Sequence, residues 1–120
     1  MTDLAASRLL FLHARLCDRM RLPRGVRDVG ALRDALAAAD ARSGDLFERA
    51  AALAAALAHH QPFTAANLVL AAAAAWLLLR TYDLDLRLEL TEMPELHLLL
   101  TGDDDPALVA WLRSRTVPAG

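Results

Sequence analysis

Pro62-Phe63-Thr64-Ala65-Ala66-Asn67-Leu68-Val69-Leu70-Ala71-Ala72-Ala73-Ala74-Ala75-Trp76-Leu77-Leu78-Leu79-Arg80-Thr81 is the stretch that decides the fold class. A proline ring fixes φ and leaves no N–H to donate, so Pro62 forbids a helix running smoothly through it. After that break, Thr64 or Ala65 opens a helix reaching about Thr81, apolar nearly all round. A helix without a polar face belongs in the interior. Its longest apolar run, Leu68 to Leu79, holds twelve residues, whereas a bilayer span needs roughly 20. The expectation is therefore a buried core helix, and the small side chains of Ala71 to Ala75 let neighbouring helices approach it closely.

The flanking sequence reads as helices that each need only one apolar face. Leu9, Leu12, Leu16 and Met20 recur at helical spacing, with Arg8, Arg15 and Arg19 elsewhere on the surface. This first helix ends before Pro23 and Gly25. Asp28 suits the N-cap of a second helix that turns Val29, Leu32, Leu36 and Ala39 inward. Ser43-Gly44-Asp45 interrupts the pattern, and a third helix runs from about Leu46 to His59 or His60, with Leu46, Ala50, Leu53 and Leu57 along one stripe. Towards the end of the chain, Asp105-Pro106 reads as an N-cap followed by proline in the first helical position. The helix after it carries Leu108, Val109, Trp111 and Leu112, with Arg113 and Arg115 placed to suit its C-terminal dipole. The fold expected is an all-α bundle around helix 64–81.

One segment is ambiguous. Leu84, Leu86, Leu88 and Leu90 alternate with Asp85, Arg87 and Glu89, the period of a half-buried strand. Leucine is a weak strand former and a lone strand needs a partner. A short extended or hairpin segment is expected at 83–91. Residues 96–100 either complete the hairpin or form a short helix capped by Thr91.

Composition narrows the function classes. The chain has 120 residues, 56% of them apolar and 23% charged, which suits one packed domain and excludes intrinsic disorder. No internal repeat or linker divides it. Thirteen basic residues, all arginine, stand against fifteen acidic ones, so no nucleic-acid surface is expected. One cysteine permits neither an internal disulfide nor a cysteine-based zinc site. Met1-Thr2-Asp3 lacks the basic start of a signal peptide, and a cytoplasmic protein with no membrane partner is expected.

Residues with chemical potential gather at the break between helices three and four: His59, His60, Gln61, Phe63 and Asn67. A break that points at the N-terminus of a central helix collects free backbone N–H groups and the positive dipole end, which suits an anion. Two histidines beside it offer a base or a metal ligand. Adjacent helical residues point about 100° apart, however, so His59 and His60 are poorly placed to share one metal. Solvated cations at a helix C-terminus are the plainer reading. His13 and His97 stand alone, as structural histidines do. Cys17 falls on the apolar stripe of the first helix and reads as a small core residue. Asp103-Asp104-Asp105 lacks the ligand spacing and glycine of a calcium loop. Asp83 and Asp85 carry no acid–base pairing by spacing alone. Trp76 and Trp111 read as core. There is no glycine-rich phosphate loop, nucleophile elbow or H-E-x-x-H.

The order of these features resembles a known family. Leu12-His13 is followed by Gly25-Val26-Arg27-Asp28-Val29-Gly30-Ala31-Leu32, by Asp45-Leu46-Phe47-Glu48-Arg49-Ala50-Ala51-Ala52-Leu53 and by Pro62-Phe63. Together they resemble the Fic/Doc superfamily, above all the short Doc (death-on-curing) toxins. Asn67, the long apolar helix, Tyr82 with Leu84, and Ala110-Trp111-Leu112-Arg113 continue the likeness across nearly the whole chain. It implies a single Doc-like domain over 1–120. The family's active-site motif reads His-Pro-Phe-x-Asp/Glu-Gly-Asn-Lys/Gly-Arg. Its histidine is the general base, its acidic residue holds Mg²⁺, and the remainder binds nucleotide phosphates with the helix N-terminus. The matching stretch here is Gln61-Pro62-Phe63-Thr64-Ala65-Ala66-Asn67-Leu68-Val69. Phe63 and Asn67 match. Gln61 stands at the histidine, Ala65 at the acid, Ala66 at the glycine and Val69 at the arginine.

These departures bear on mechanism. Glutamine cannot accept a proton near neutral pH, which removes a contribution of about 10²–10⁴ from general-base catalysis. Ala65 offers Mg²⁺ no oxygen, and Val69 offers phosphate no charge. His60 could stand in as base only with a local rearrangement, since Asn67 and Pro62-Phe63 fix the register. No catalytic or metal residue is therefore assigned, no cofactor is expected because the family's ATP/Mg²⁺ site is lost, and His59, His60, Gln61, Phe63 and Asn67 form a candidate relict pocket. The resemblance implies a pseudoenzyme that binds a protein partner, antitoxin-like or other, as in toxin–antitoxin systems. The alternative is an enzyme with different chemistry in the same cleft, and a third reading is a purely structural or oligomerisation module.

Overall fold

The computed structural model describes residues 6–41 and 44–119. Met1, Thr2, Asp3 and Ser43, used in the sequence reading, lie outside them. Among the described residues the chain forms α1 (Ala6–Met20), α2 (Val29–Ala41), α3 (Leu46–His60), α4 (Asn67–Thr81), β1 (Leu84–Leu86), a 3₁₀ turn (Leu90–Glu92), α5 (Met93–Thr101), α6 (Asp105–Ser114) and β2 (Thr116–Pro118). It is an all-α protein with one two-stranded ribbon. No described helix is long and apolar enough to cross a membrane.

The helix starts follow their capping chemistry. Asp28 Oδ1 accepts the Ala31 N–H at 3.0 Å, Asp45 Oδ1 the Glu48 N–H at 2.9 Å, and Asp104 Oδ1 the Ala107 N–H at 3.0 Å. Each satisfies one of the amides that a first helical turn leaves unpaired. The cap of α6 is thus Asp104 rather than Asp105, because Asp105 already has helical backbone and Pro106 follows inside the first turn.

Two helices share the centre. Helix α3 packs on α2, α4, α5 and α6, while α4 packs on α1, α3, α5 and β1. Both are rich in buried alanine: Ala50, Ala51, Ala54, Ala56 and Ala58 on α3, and Ala71, Ala72, Ala74 and Ala75 on α4. Small residues on facing helices let the backbones approach and gain dispersion contacts along their length. One side of α4 stays open: Val69 and Ala73 are half-buried and Trp76 is 36% exposed. The expectation that Trp76 is core is corrected, since α4 has neighbours on all sides but that ridge. Trp111, at 5% exposure, is core as expected.

The stripe of α1 also differs from its first reading. Leu9, His13 and Cys17 are buried, Leu12 and Leu16 half-buried, and Met20 is 43% exposed. Spacing of four residues from Leu9 carries the buried line through His13 and Cys17, so Met20 is left on the far edge. On α2 the buried residues are Leu32 and Ala35, and Val29 is exposed because it occupies the first, solvent-facing turn.

The segment after α4 takes the second of the forms expected for it, a short extended stretch followed by a helix. Leu84–Leu86 is a strand, but its antiparallel partner is Thr116–Pro118, with Leu84 opposite Pro118 and Leu86 opposite Thr116. Residues 96–100 lie within α5. Thr91 does not cap that helix, whose N-cap residue is Glu92 and which has no side-chain cap. Arg115 ties the ribbon to this turn, pairing with Glu92 and lying over the Trp111 ring at 4.3 Å. Arg113 pairs with Asp45 at the start of α3. These arginines therefore join elements instead of only facing the dipole of α6.

Candidate functional site

The chain between α3 and α4 is a short loop with left-handed backbone at both ends. Gln61 (φ +46°) closes α3, its N–H donating to the Leu57 carbonyl at 3.1 Å, and Ala66 (φ +64°) precedes the first residue of α4. Such φ values in residues with a Cβ cost roughly 1–2 kcal/mol each, so the surroundings must hold them.

Four contacts do so. The Pro62 carbonyl accepts the N–H groups of Arg27 and Asp28 at 2.8 and 3.1 Å, and the Thr64 N–H donates to the Gly25 carbonyl at 3.0 Å. This pairs Val26 with Phe63 as an isolated antiparallel bridge. Gly25 has φ +119°, a conformation that a side chain would strain, and it brings the 25–28 segment alongside the loop. The Arg27 guanidinium donates to the carbonyls of Gln61 and His60, placing a cation at the C-terminal end of α3. The Asn67 side chain folds back, its Oδ1 accepting the Phe63 N–H and its Nδ2 donating to the Phe63 carbonyl, both at 3.0 Å.

The fourth contact comes from α1. His13, 2% exposed, stacks on Phe63 with ring centroids 3.9 Å apart, and its Nε2–H donates to the Ala65 carbonyl at 2.9 Å. The Cys17 sulfur lies 3.4 Å from the same nitrogen. Phe63 is itself 1% exposed. His13 is structural, as a lone histidine is expected to be, and it clamps the loop that leads into α4. Its spacing with Leu9 and Cys17 carried the signal: a polar residue set into a buried register needs a polar partner.

The five candidate residues divide between two places. Phe63 lies in the loop and Asn67 at the start of α4, where Asn67 is spent on backbone groups of Phe63 and Phe63 on packing. The Gln61 side chain is exposed. His59 and His60 lie on the other side of the α3 terminus, where they line a hollow of about 330 Å³ with Gly102, Asp103 and Asp105. His59 Nε2 is 3.2 Å from the Gly102 carbonyl. Among the described residues no group of three or more His, Cys, Asp or Glu is arranged to hold a metal ion. A larger hollow, about 550 Å³, lies between α3 and α6, lined by Glu48, Pro106, Val109, Ala110, Arg113 and Ser114. It brings together neither histidine nor Asn67.

Position 66 offers a direct test of loop strain. Ala66→Gly removes the Cβ penalty of φ +64° at the cost of extra unfolded-chain entropy, so a net gain of about 0.5–1 kcal/mol is expected. Urea unfolding checks it, and a loss of stability would mean that the loop does not hold this backbone.

Comparison with protein-family models finds no match, and no curated protein is similar enough to match the chain.

Proposed function

We propose that this chain is a Doc-like protein of the Fic/Doc type that works by binding and not by group transfer. The observation that carries the reading is the loop before α4. The Asn67 side chain that follows it and its carbonyls at Gln61, Pro62, Phe63 and Ala65 are engaged within the protein. Gln61, Ala65 and Val69 stand where the resemblance calls for a base, a metal ligand and a phosphate cation. The left-handed backbone at Ala66 supports the register, because the motif has glycine at that position and glycine is the residue that adopts it freely. A scaffold kept without its transfer residues fits a regulatory role towards a protein partner, antitoxin-like or other.

Calorimetric titration with ATP, with and without Mg²⁺, tests the reading on the natural chain and on Gln61→His/Ala65→Asp/Ala66→Gly/Val69→Arg. The natural chain is expected to give no heat of binding and the restored variant a measurable one. Tight Mg·ATP binding by the natural chain would overturn the proposal, and affinity capture that recovers no specific protein partner would count against its second half.

A further inference from the structure

The open ridge of α4 lies between two edges of opposite charge. At 100° per residue, Val69, Ala73 and Trp76 share one side of the helix, with Leu77 turned to one flank of the ridge and Ala72 to the other. Leu77 meets α1, where it closes a hollow of about 310 Å³ with Leu12, Phe11, Arg8 and Arg15. On the opposite flank Ala72, Ala73 and Trp76 line a second hollow, about 350 Å³, with Leu86, Leu88 and Met93. The face therefore runs from α1 across Trp76 to the segment that follows β1.

Its two edges complement each other. Phe11 is 66% exposed at the middle of the solvent side of α1, between Arg8 and Arg15, and neither arginine has a carboxylate partner among the described residues. At the other edge Arg87 is paired with Asp85 at 3.0 Å, which leaves Glu89, without an ion pair among the described residues, as its unbalanced charge beside Leu90, which is 90% exposed. An exposed aromatic framed by arginines has the composition of an interface and not of an ordinary surface. The apolar side of α1 is already spent on the core through Leu9, His13 and Cys17, so this helix has no apolar face left to lay into a lipid surface. A cationic aromatic edge and an acidic leucine edge on either side of an apolar ridge fit a second copy turned by a two-fold axis. Each edge then meets its opposite in the partner, which is the self-complementarity that an isologous interface requires.

We infer that this face is the interface of a two-fold symmetric homodimer, with the Arg8–Phe11–Arg15 edge of one copy against the Glu89–Leu90 edge of the other across Trp76. The molecule measures 33 × 31 × 28 Å, so one side has room for the roughly 800 Å² per partner of a standard interface.

Sedimentation equilibrium of the purified full chain, from roughly 1 µM to 1 mM, reads the association directly. A concentration-dependent dimer is expected. Arg15→Glu and Glu89→Arg alone should each raise its Kd by about tenfold or more, and the two together should bring it back to within about threefold of the natural value. Both positions are solvent-exposed, so neither change disturbs the core, and circular dichroism confirms the fold of each variant. A monomer at every concentration overturns the inference and leaves the face to another partner. A dimer indifferent to both reversals overturns it too, because association then uses a different face. Single losses that the double variant does not repair place Arg15 and Glu89 apart and remove the two-fold arrangement.

Discussion

Phe63→Ala is expected to lower the stability of the protein by about 3–5 kcal/mol, the usual cost of emptying a buried aromatic site. Phe63 is 1% exposed and stacks on His13, so the change removes apolar burial and the ring contact together. Stacked pairs contribute about 0.5–1.5 kcal/mol beyond burial. The cavity would open at the junction of α1, the 25–28 segment and the loop into α4, where left-handed residues on both sides limit collapse. Against a typical net stability of about 5–15 kcal/mol, this is a large fraction. Urea unfolding followed by far-ultraviolet circular dichroism measures it. Phe63→Leu keeps most of the volume and is expected to cost only about 1.5 kcal/mol or less. A loss under about 1 kcal/mol for Phe63→Ala would show that the His13 clamp does not depend on this ring.

Ala74→Leu is expected to destabilise by about 3 kcal/mol, the upper part of the range for overpacking. Ala74 is fully buried on the side of α4 opposite the open ridge, and α4 packs most extensively on α3, itself lined with buried alanine. A fully buried site has no free space for three added carbons. The helices must separate, and contacts along both are weakened. For a chain of this size the melting temperature should fall by on the order of 10–20 °C. Ala73→Leu, one residue along but on the open ridge, should change stability by less than about 0.5 kcal/mol when measured at low protein concentration. Equal effects at the two positions would mean that α4 is not seated with Ala74 inward.

Much of the site was legible because its features are local. Pro62 announces the break and Phe63 has the apolar size of an anchor, although the helix expected to open at Thr64 or Ala65 starts only at Asn67, because Ala66 takes left-handed backbone. Legibility stopped where a side chain's partner came from a distant part of the chain. His13 reaches the Ala65 carbonyl across 52 residues, and Arg27 reaches the Gln61 carbonyl across 34. Neither spacing has a period that sequence reading can follow. The candidate pocket divided for a related reason. His59 and His60 are neighbours of Gln61 in the chain, but the helix end turns them towards the α5–α6 turn, with Asp103 and Asp105, and away from Asn67.

The amino-acid sequence by itself determined the all-helical class, the approximate positions of five of the six described helices, the cap at Asp28, and the interior place of the alanine-rich helix. These follow from short-range rules: periodicity along one element, the missing N–H of proline, and a carboxylate within reach of its own helix's first amides. Only the tertiary structure decided that Leu84–Leu86 pairs with Thr116–Pro118, that Trp76 stays on an open ridge, and that His13 holds the loop before α4. A hydrophobic pattern states which residues share a face, but not which element will cover it. That depends on where the whole chain finds room to pack, and backbone partners for a strand or a loop exist only once the helices around them are in place.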